Sequence, residues 1–565
     1  MFRLSSRINA VVVLVLTVGA LLVGSTGAKA YPYQISQFAL QQQRRMELLR
    51  SGAKPSYQWR KYGRVRHLLM FPTKIQHVVV IVMENRTVDN LFSAYYNSTF
   101  NSPQKWYQVM NLWNPANTNP QVIPNSLGAQ FDPIHHHANF VFEADRKHCN
   151  NFDFPCEHFS CPGQPPNCVY PPAGPVTGYS YVPALETSIY AHFIETYASA
   201  DEMLQSNQGP SMPSHQYLIS GQSGGFDAIN APYAIADNPG VDISQDENDS
   251  GQYPEEGPDV AYCANNNPLA GALDMTRPFP EFDDTGFGPV PPCESYGKGT
   301  ILDEVAAEGN PAYYDWQYIS AHQGGYWAAP TSVLNLYNQW ISAPHDPTQP
   351  FAVDPNAYNF VQNMTTGSGY PTRPFASLTY ITPCNNESDH ADTSGHDVYG
   401  PDWLGTVVNA IGESQYWAST VIVVTWDDWG GWYDHMSWAE SMNNPYPNLG
   451  GPAPNPADPN EWGLRVPVIV ISPYAKAGFV SHGPNGGTLA NPVPRSQGAI
   501  LNLSEYLLGV NSLNADDLAN QYTYQNQQFT DDMSEMLNFQ SFQPFVPAVV
   551  PSSYHIPDNC DVPRQ

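Results

Sequence analysis

Two polar pairs in this chain stand directly behind apolar runs: Glu84 and Asn85 close IQHVVVIVMEN, and Asp427 and Asp428 follow TVIVVTW. Such runs read as buried strands, and open α/β sheets bind ligands beyond the carboxyl ends of their strands. If the two strands are neighbours, the carboxylates of Glu84, Asp427 and Asp428 converge with the Asn85 amide oxygen. At close range their mutual repulsion calls for a divalent cation. Hard oxygen donors suit Ca²⁺, Mg²⁺, Mn²⁺ or Fe²⁺ better than a thiolate-bound metal. Taken singly, each of these residues equally fits a turn or cap at a strand end.

The candidate nucleophile is Ser211 in NQGPSMPSHQYLISG, where Gly209 and Pro210 precede it, Pro213 follows and a helix-like segment comes next. That pattern places Ser211 at or near a helix N-terminus with proline in the first turn. As a cap it satisfies an orphan amide. As a nucleophile it gains from the same place, because free N–H groups and the positive helix end favour an alkoxide and a bound phosphate, and a metal on Oγ lowers its pKa further. Histidines are the third element: His135, His136 and His137 in FDPIHHHANF, His215 just after Ser211, His390 and His396 in SDHADTSGHDVYG, and His435 in GGWYDHM. Any one of them suits a structural role, yet phosphoryl transfer needs hydrogen-bond donors and an acid for the leaving alcohol, and histidine supplies both.

The elements that must position these residues are legible as an alternation. Strand-like runs at 75–83, 376–381, 420–426 and 466–472 alternate with helix-like stretches at 186–204, 300–309 and 400–414. This pattern predicts an α/β three-layer sandwich with a largely parallel central sheet. Residues 230–298 and 441–462, rich in Pro, Asn, Asp and Gly, read as long surface insertions. The catalytic domain is expected over 74–510, after a helical, basic lead-in at 31–73 and before a C-terminal extension at 511–565 packed on the domain.

Residues 1–30 carry Arg3 and Arg7, the apolar run AVVVLVLTVGALLVG and the small-residue pattern ending at Ala30, as a secretory signal peptide does. The apolar run is shorter than a bilayer span, so the expectation is cleavage near Ala30, a secreted or periplasmic product and no stable membrane anchor. The chain has a net charge of −29, and loss of Arg3, Arg7 and Lys29 would take it to −32. Nucleic acid is excluded as a partner by that charge, and an anionic phosphate would need a local cation to draw it in. All eight cysteines (149, 156, 161, 168, 263, 293, 384 and 560) lie beyond the signal, which favours disulfides, with Cys263 and Cys293 as one candidate pair. Zinc at the 149–168 cluster is the competing reading.

Five segments, in order, resemble the phosphoesterase family of secreted bacterial acid phosphatases and phospholipases C, a branch of the alkaline-phosphatase superfamily. They are HVVVIVMENRTVDNLF, GPSMPSHQYLISG, TILDEVAAEGNPAYYDWQYI, SDHADTSGHDVYG with YWASTVIVVTWDDWGGWYDHM, and RVPVIVISPYAKAGFVSH. The resemblance implies an alkaline-phosphatase-like fold and one divalent metal cation held by Glu84, Asn85, Ser211, Asp427 and Asp428. It makes Ser211 the nucleophile and His390 the leaving-group acid. His135 or His136 would meet phosphate, and His435 would support the site. Ser rather than Thr at the nucleophile and Asp428 rather than Glu lean towards a phosphomonoesterase. Phospholipase C action on a phospholipid and a non-catalytic secreted binding protein on the same fold are the alternatives.

Overall fold

Val78 to Val82 form an unbroken β-branched run, and every one of them is buried, as expected of a strand covered on both faces. The computed structural model describes residues 75–95, 123–128, 133, 135, 178, 180–206, 211–221, 300–308, 316–320, 329–332, 336, 351–365, 375–391, 399–434, 463–484, 487–488, 493–510, 521–524, 527–558 and 560. The proposed signal, the lead-in, both long insertions, His136, His435 and six of the eight cysteines lie outside that set.

The main sheet has eight strands: β1 His77–Met83, β2 Ala198–Ala200, β3 Trp316–Ser320, β4 Phe351–Val353, β5 Leu378–Thr382, β6 Thr420–Trp426, β7 Val468–Ile471 and β8 Phe479–Ser481. Their order across the sheet is β8-β2-β7-β6-β1-β5-β3-β4. Only β7 runs against its neighbours β6 and β2; the other pairings are parallel. Seven strands therefore share one carboxyl edge, and the site lies along it.

The helices are α1 Val88–Phe92, α2 Ser188–Thr196, α3 Ser211–Ser220, α4 Ile301–Glu308, α5 Tyr358–Thr365, α6 Asn385–Ser388, α7 Gly400–Gly412 and α8 Gly498–Leu508. Helices α3, α4 and α8 pack together on one face of the sheet, and α2, α5, α6 and α7 on the other. The sandwich thus has the expected mainly parallel core. No helix among the described residues is long and apolar enough to cross a membrane.

One expectation needs correction. The stretch 186–204 is not a single helix: α2 ends at Thr196, Ala198–Ala200 enters the sheet as β2, and Met203–Leu204 forms a further short strand. The ASA segment has helical local preference, but pairing with β7 and β8 on either side supplies its backbone partners, and tertiary context overrides propensity.

Residues 538–558 cross α7 largely without regular structure. The backbone of Ala548 exchanges two hydrogen bonds with the Asn409 amide, both 2.9 Å. Phe545 packs edge-on against Trp417 with ring centroids 5.0 Å apart. Cys560 is joined by a disulfide to Cys384, at the N-cap of α6. This strap is sewn to the body of the sheet on the side that leads to His390.

Candidate active site

Strands β1 and β6 are adjacent and parallel, with Met83 opposite Trp426, so the residues that follow them emerge side by side. The Asp427 amide continues the ladder by donating to Met83 O at 3.0 Å. Glu84, Asn85, Asp427 and Asp428 are all buried at 0% exposure, which makes the choice of their partners decisive.

Asn85 takes a left-handed conformation, φ 57°, a conformation that asparagine tolerates better than most residues. The turn lets its N–H donate to Asp427 Oδ1 at 2.9 Å. Gly430, at φ +60°, is required opposite it: a Cβ there would lie 2.3 Å from Asn85 O. The Gly430 amide in turn donates to Asp428 Oδ1 at 2.7 Å. Gln497, just before α8, donates to the carbonyls of Trp426 and Asp427 at 2.7 and 2.6 Å, fixing the backbone from which both aspartates project.

Ser211 is the first residue of α3. Its Oγ lies 3.0 Å from Asn85 Oδ1 and 3.1 Å from Asp428 Oδ2. A serine hydroxyl carries one proton, so it cannot satisfy both acceptors fully at once. Such a convergence of hydroxyl, amide and carboxylate oxygens fits a hard cation. Burial first, and the charge of Asp427 second, push the Asp428 carboxyl well above the usual range. A cation would relieve that penalty.

One turn along α3, His215 reaches the same cluster. Its Nε2 is 2.8 Å from Glu84 Oε1 and 3.8 Å from Asp427 Oδ2. Burial lowers the His215 pKa to about 4 against the pull of Asp427, so the ring is neutral near pH 7 and offers a neutral nitrogen. Glu84, His215 and Asp427 form a group able to hold a metal ion, their ligand atoms all within 4.8 Å of one another.

His135 and His390 face the cluster from the loop side, with ring centroids 6.2 Å apart. His135 Nδ1 donates to Pro133 O at 2.7 Å, and its Nε2 is 3.1 Å from Asn85 Nδ2. That pattern assigns the Nδ1–H tautomer, with the Nε2 lone pair turned to the amide. His390 Nδ1 is likewise bound to a carbonyl, that of Ala391, at 2.7 Å. Beside it, Asp389 is held left-handed at φ 80°. Its Oδ2 accepts from Tyr190 OH at 2.7 Å and Trp426 Nε1 at 2.9 Å, and its carbonyl accepts from Arg86 Nε at 2.9 Å. Burial raises the Asp389 carboxyl to about 6, opposed by Arg86.

Of the residues singled out in the sequence, the structure brings together Glu84, Asn85, Ser211, Asp427, Asp428, His135, His215 and His390. It adds Asp389, which nothing local marked apart from its place before His390.

Fold and site together define a class: an α/β protein with a buried centre of serine, acids and histidines at the carboxyl edge of its sheet. The chain belongs to the Phosphoesterase family, whose model matches residues 75–491. Over 118 residues it is 38% identical to non-specific phospholipase C4 of Arabidopsis thaliana, covering 20% of each chain. Over 134 residues it is 32% identical to non-specific phospholipase C5 of the same plant, covering 22% of this chain and 25% of the other. These matches therefore span a fifth to a quarter of the curated relatives. Among solved structures, an alkaline phosphatase superfamily protein from Vibrio parahaemolyticus aligns over 78% of this chain and 68% of its own, at 11% identity and a TM-score of 0.29.

Proposed function

We propose that this protein is a secreted, metal-dependent phosphoester hydrolase of the acid-phosphatase type, acting on small phosphomonoesters through a phosphoserine intermediate. The observation that carries the reading is Ser211 Oγ at a helix start, 3.0 Å from Asn85 Oδ1 and 3.1 Å from Asp428 Oδ2. Glu84, Asn85, Ser211, Asp427 and Asp428 would hold one divalent cation, which would neutralise charge on the phosphoryl group and acidify the serine hydroxyl.

Ser211 Oγ, its proton passed to solvent before the reaction, attacks phosphorus in line, forming the P–Oγ bond as the bond to the leaving oxygen breaks, and departs again as the alkoxide when P–Oγ is cleaved. His390, in its protonated form, gives its Nε2 proton to the departing alcohol. Helix-start amides of α3 hold the remaining phosphoryl oxygens together with His135 or His136, a role in which His135 acts as the imidazolium and donates from Nε2. Water then attacks phosphorus, breaking P–Oγ and releasing phosphate, while His390 takes a proton from that water. His435 is assigned a supporting role.

A second reading, phospholipase C cleavage of a phospholipid, is favoured by the names of the curated relatives. Ser211 and Asp428, in place of the Thr and Glu common in such enzymes, favour the first. A non-catalytic binding protein would have no use for the intact nucleophile and acid set. Export is supported by the signal-like start and the Cys384–Cys560 bridge, since disulfides persist in oxidising compartments. The test is elemental analysis of the purified protein joined to a panel of phosphomonoesters, phosphodiesters and phosphatidylcholine. Stoichiometric metal with fastest turnover of monoesters is expected; dominant phosphatidylcholine cleavage would establish the second reading, and a metal-free, inert protein would sink both.

A further inference from the structure

The five oxygen donors named above do not exhaust the centre. His215 stands one turn beyond Ser211 in α3, so both side chains leave the same helix face. Its Nε2 meets Glu84 Oε1 at 2.8 Å and Asp427 Oδ2 at 3.8 Å, and all three residues are buried at 1% exposure or less. Ligand atoms around a first-row metal at about 2.1 Å sit about 3.0–3.4 Å apart, and the two observed separations bracket that range.

We propose that His215 is a nitrogen ligand of the cation centre, and that it biases the site towards a first-row transition metal and away from Ca²⁺ and Mg²⁺. The inference rests on the reading that this centre binds a divalent cation. Imidazole suits iron and zinc, whereas an all-oxygen shell suits calcium and magnesium. Of the four cations that the oxygen donors alone admit, Fe²⁺ is the one that an imidazole favours. The competing role for His215 is purely structural: its Nε2–H orients the Glu84 carboxylate by hydrogen bond and never meets metal.

The two roles separate in one experiment on the full chain, stripped with chelator and reloaded with Co²⁺ alone. X-ray absorption of the cobalt protein is expected to show imidazole scattering. In His215→Gln, which keeps an N–H donor near the Nε2 position, Co²⁺ affinity is expected to fall at least about tenfold while Ca²⁺ affinity changes much less. An all-oxygen shell in the wild type, equal Co²⁺ affinity in the variant, or no cobalt binding at all overturns the proposal. If the variant fails to fold, judged by circular dichroism of the stripped protein, the wild-type spectrum decides alone. No substrate enters the measurement. Nitrogen ligation in a protein inert to every phosphoester would therefore sink the hydrolase reading and keep this one, and brisk hydrolysis with an all-oxygen shell would do the reverse.

Discussion

Two buried groups of acids lie along one sheet edge and are neutralised differently. At the ends of β1 and β6, Glu84, Asp427 and Asp428 meet, among other groups, the Asn85 and Gly430 amides, the Ser211 hydroxyl and the His215 ring, and these four carry no full charge near neutrality. Around the start of β7, Arg465 lies between Asp434 at 2.9 Å and Asp89 at 3.1 Å. Burial works against the charge of Arg465, but Asp434 and Asp89 outweigh it and hold the guanidinium protonated. Nearby, Arg495 binds Asp531 at 2.9 Å and Glu535 at 2.7 Å. Acids matched by fixed arginines complete a structure, whereas acids gathered around neutral donors leave room for a cation from solution.

That contrast can be broken by mutation, and the largest effect should fall at the proposed nucleophile. Ser211→Ala and Asp427→Asn are each expected to cut turnover of an aryl phosphate by about 10⁴-fold or more with circular dichroism unchanged; near-wild-type rates in either would dissolve the distinction between the two groups.

Stability should then respond with opposite signs in the two groups. Arg465→Met leaves Asp89 and Asp434 buried beside an apolar side chain and is expected to cost about 3–5 kcal/mol in urea unfolding. Asp428→Asn, measured on chelator-treated protein, should raise Tm, because it removes a carboxyl that burial and Asp427 already disfavour as an anion. A fall in Tm there would mean that the central acids are matched as the peripheral ones are.

The smallest predicted effect concerns pH. Asp389 titrates at about 6 in the fold against an ordinary 3.8, so the folded state binds more protons between those values and stability falls as pH rises through them. The loss is complete above about pH 6 and amounts to roughly 3 kcal/mol at 1.36 kcal/mol per unit. Asp389→Asn should abolish that slope in urea titrations at pH 4 and pH 7; an unaltered slope would assign it to other groups.

What the sequence disclosed follows from physical locality. β1 and β6 were readable because an unbroken β-branched run followed by polar residues needs no distant context, and Ser211 because Pro213 and the helix after it are adjacent. β2 was hidden, since three small residues acquire strand geometry only from neighbours at 468–470 and 479–481. Equally hidden was the partner of His215, which lies 131 residues earlier at Glu84. The left-handed turn at Asp389 depends on Tyr190, Trp426 and Arg86, contributed by three separate segments.

The bridge between Cys384 and Cys560 places a condition on biosynthesis. Cys560 leaves the ribosome 176 residues after its partner. Until it does, α6 and the turn carrying Asp389 and His390 are fastened by noncovalent contacts alone, while the strands bearing Glu84 and Asp427 can already pair. The half of the centre that carries Glu84 and Asp427 can thus take shape before the strap exists, and the half that carries His390 is locked only when an oxidant joins Cys384 to Cys560.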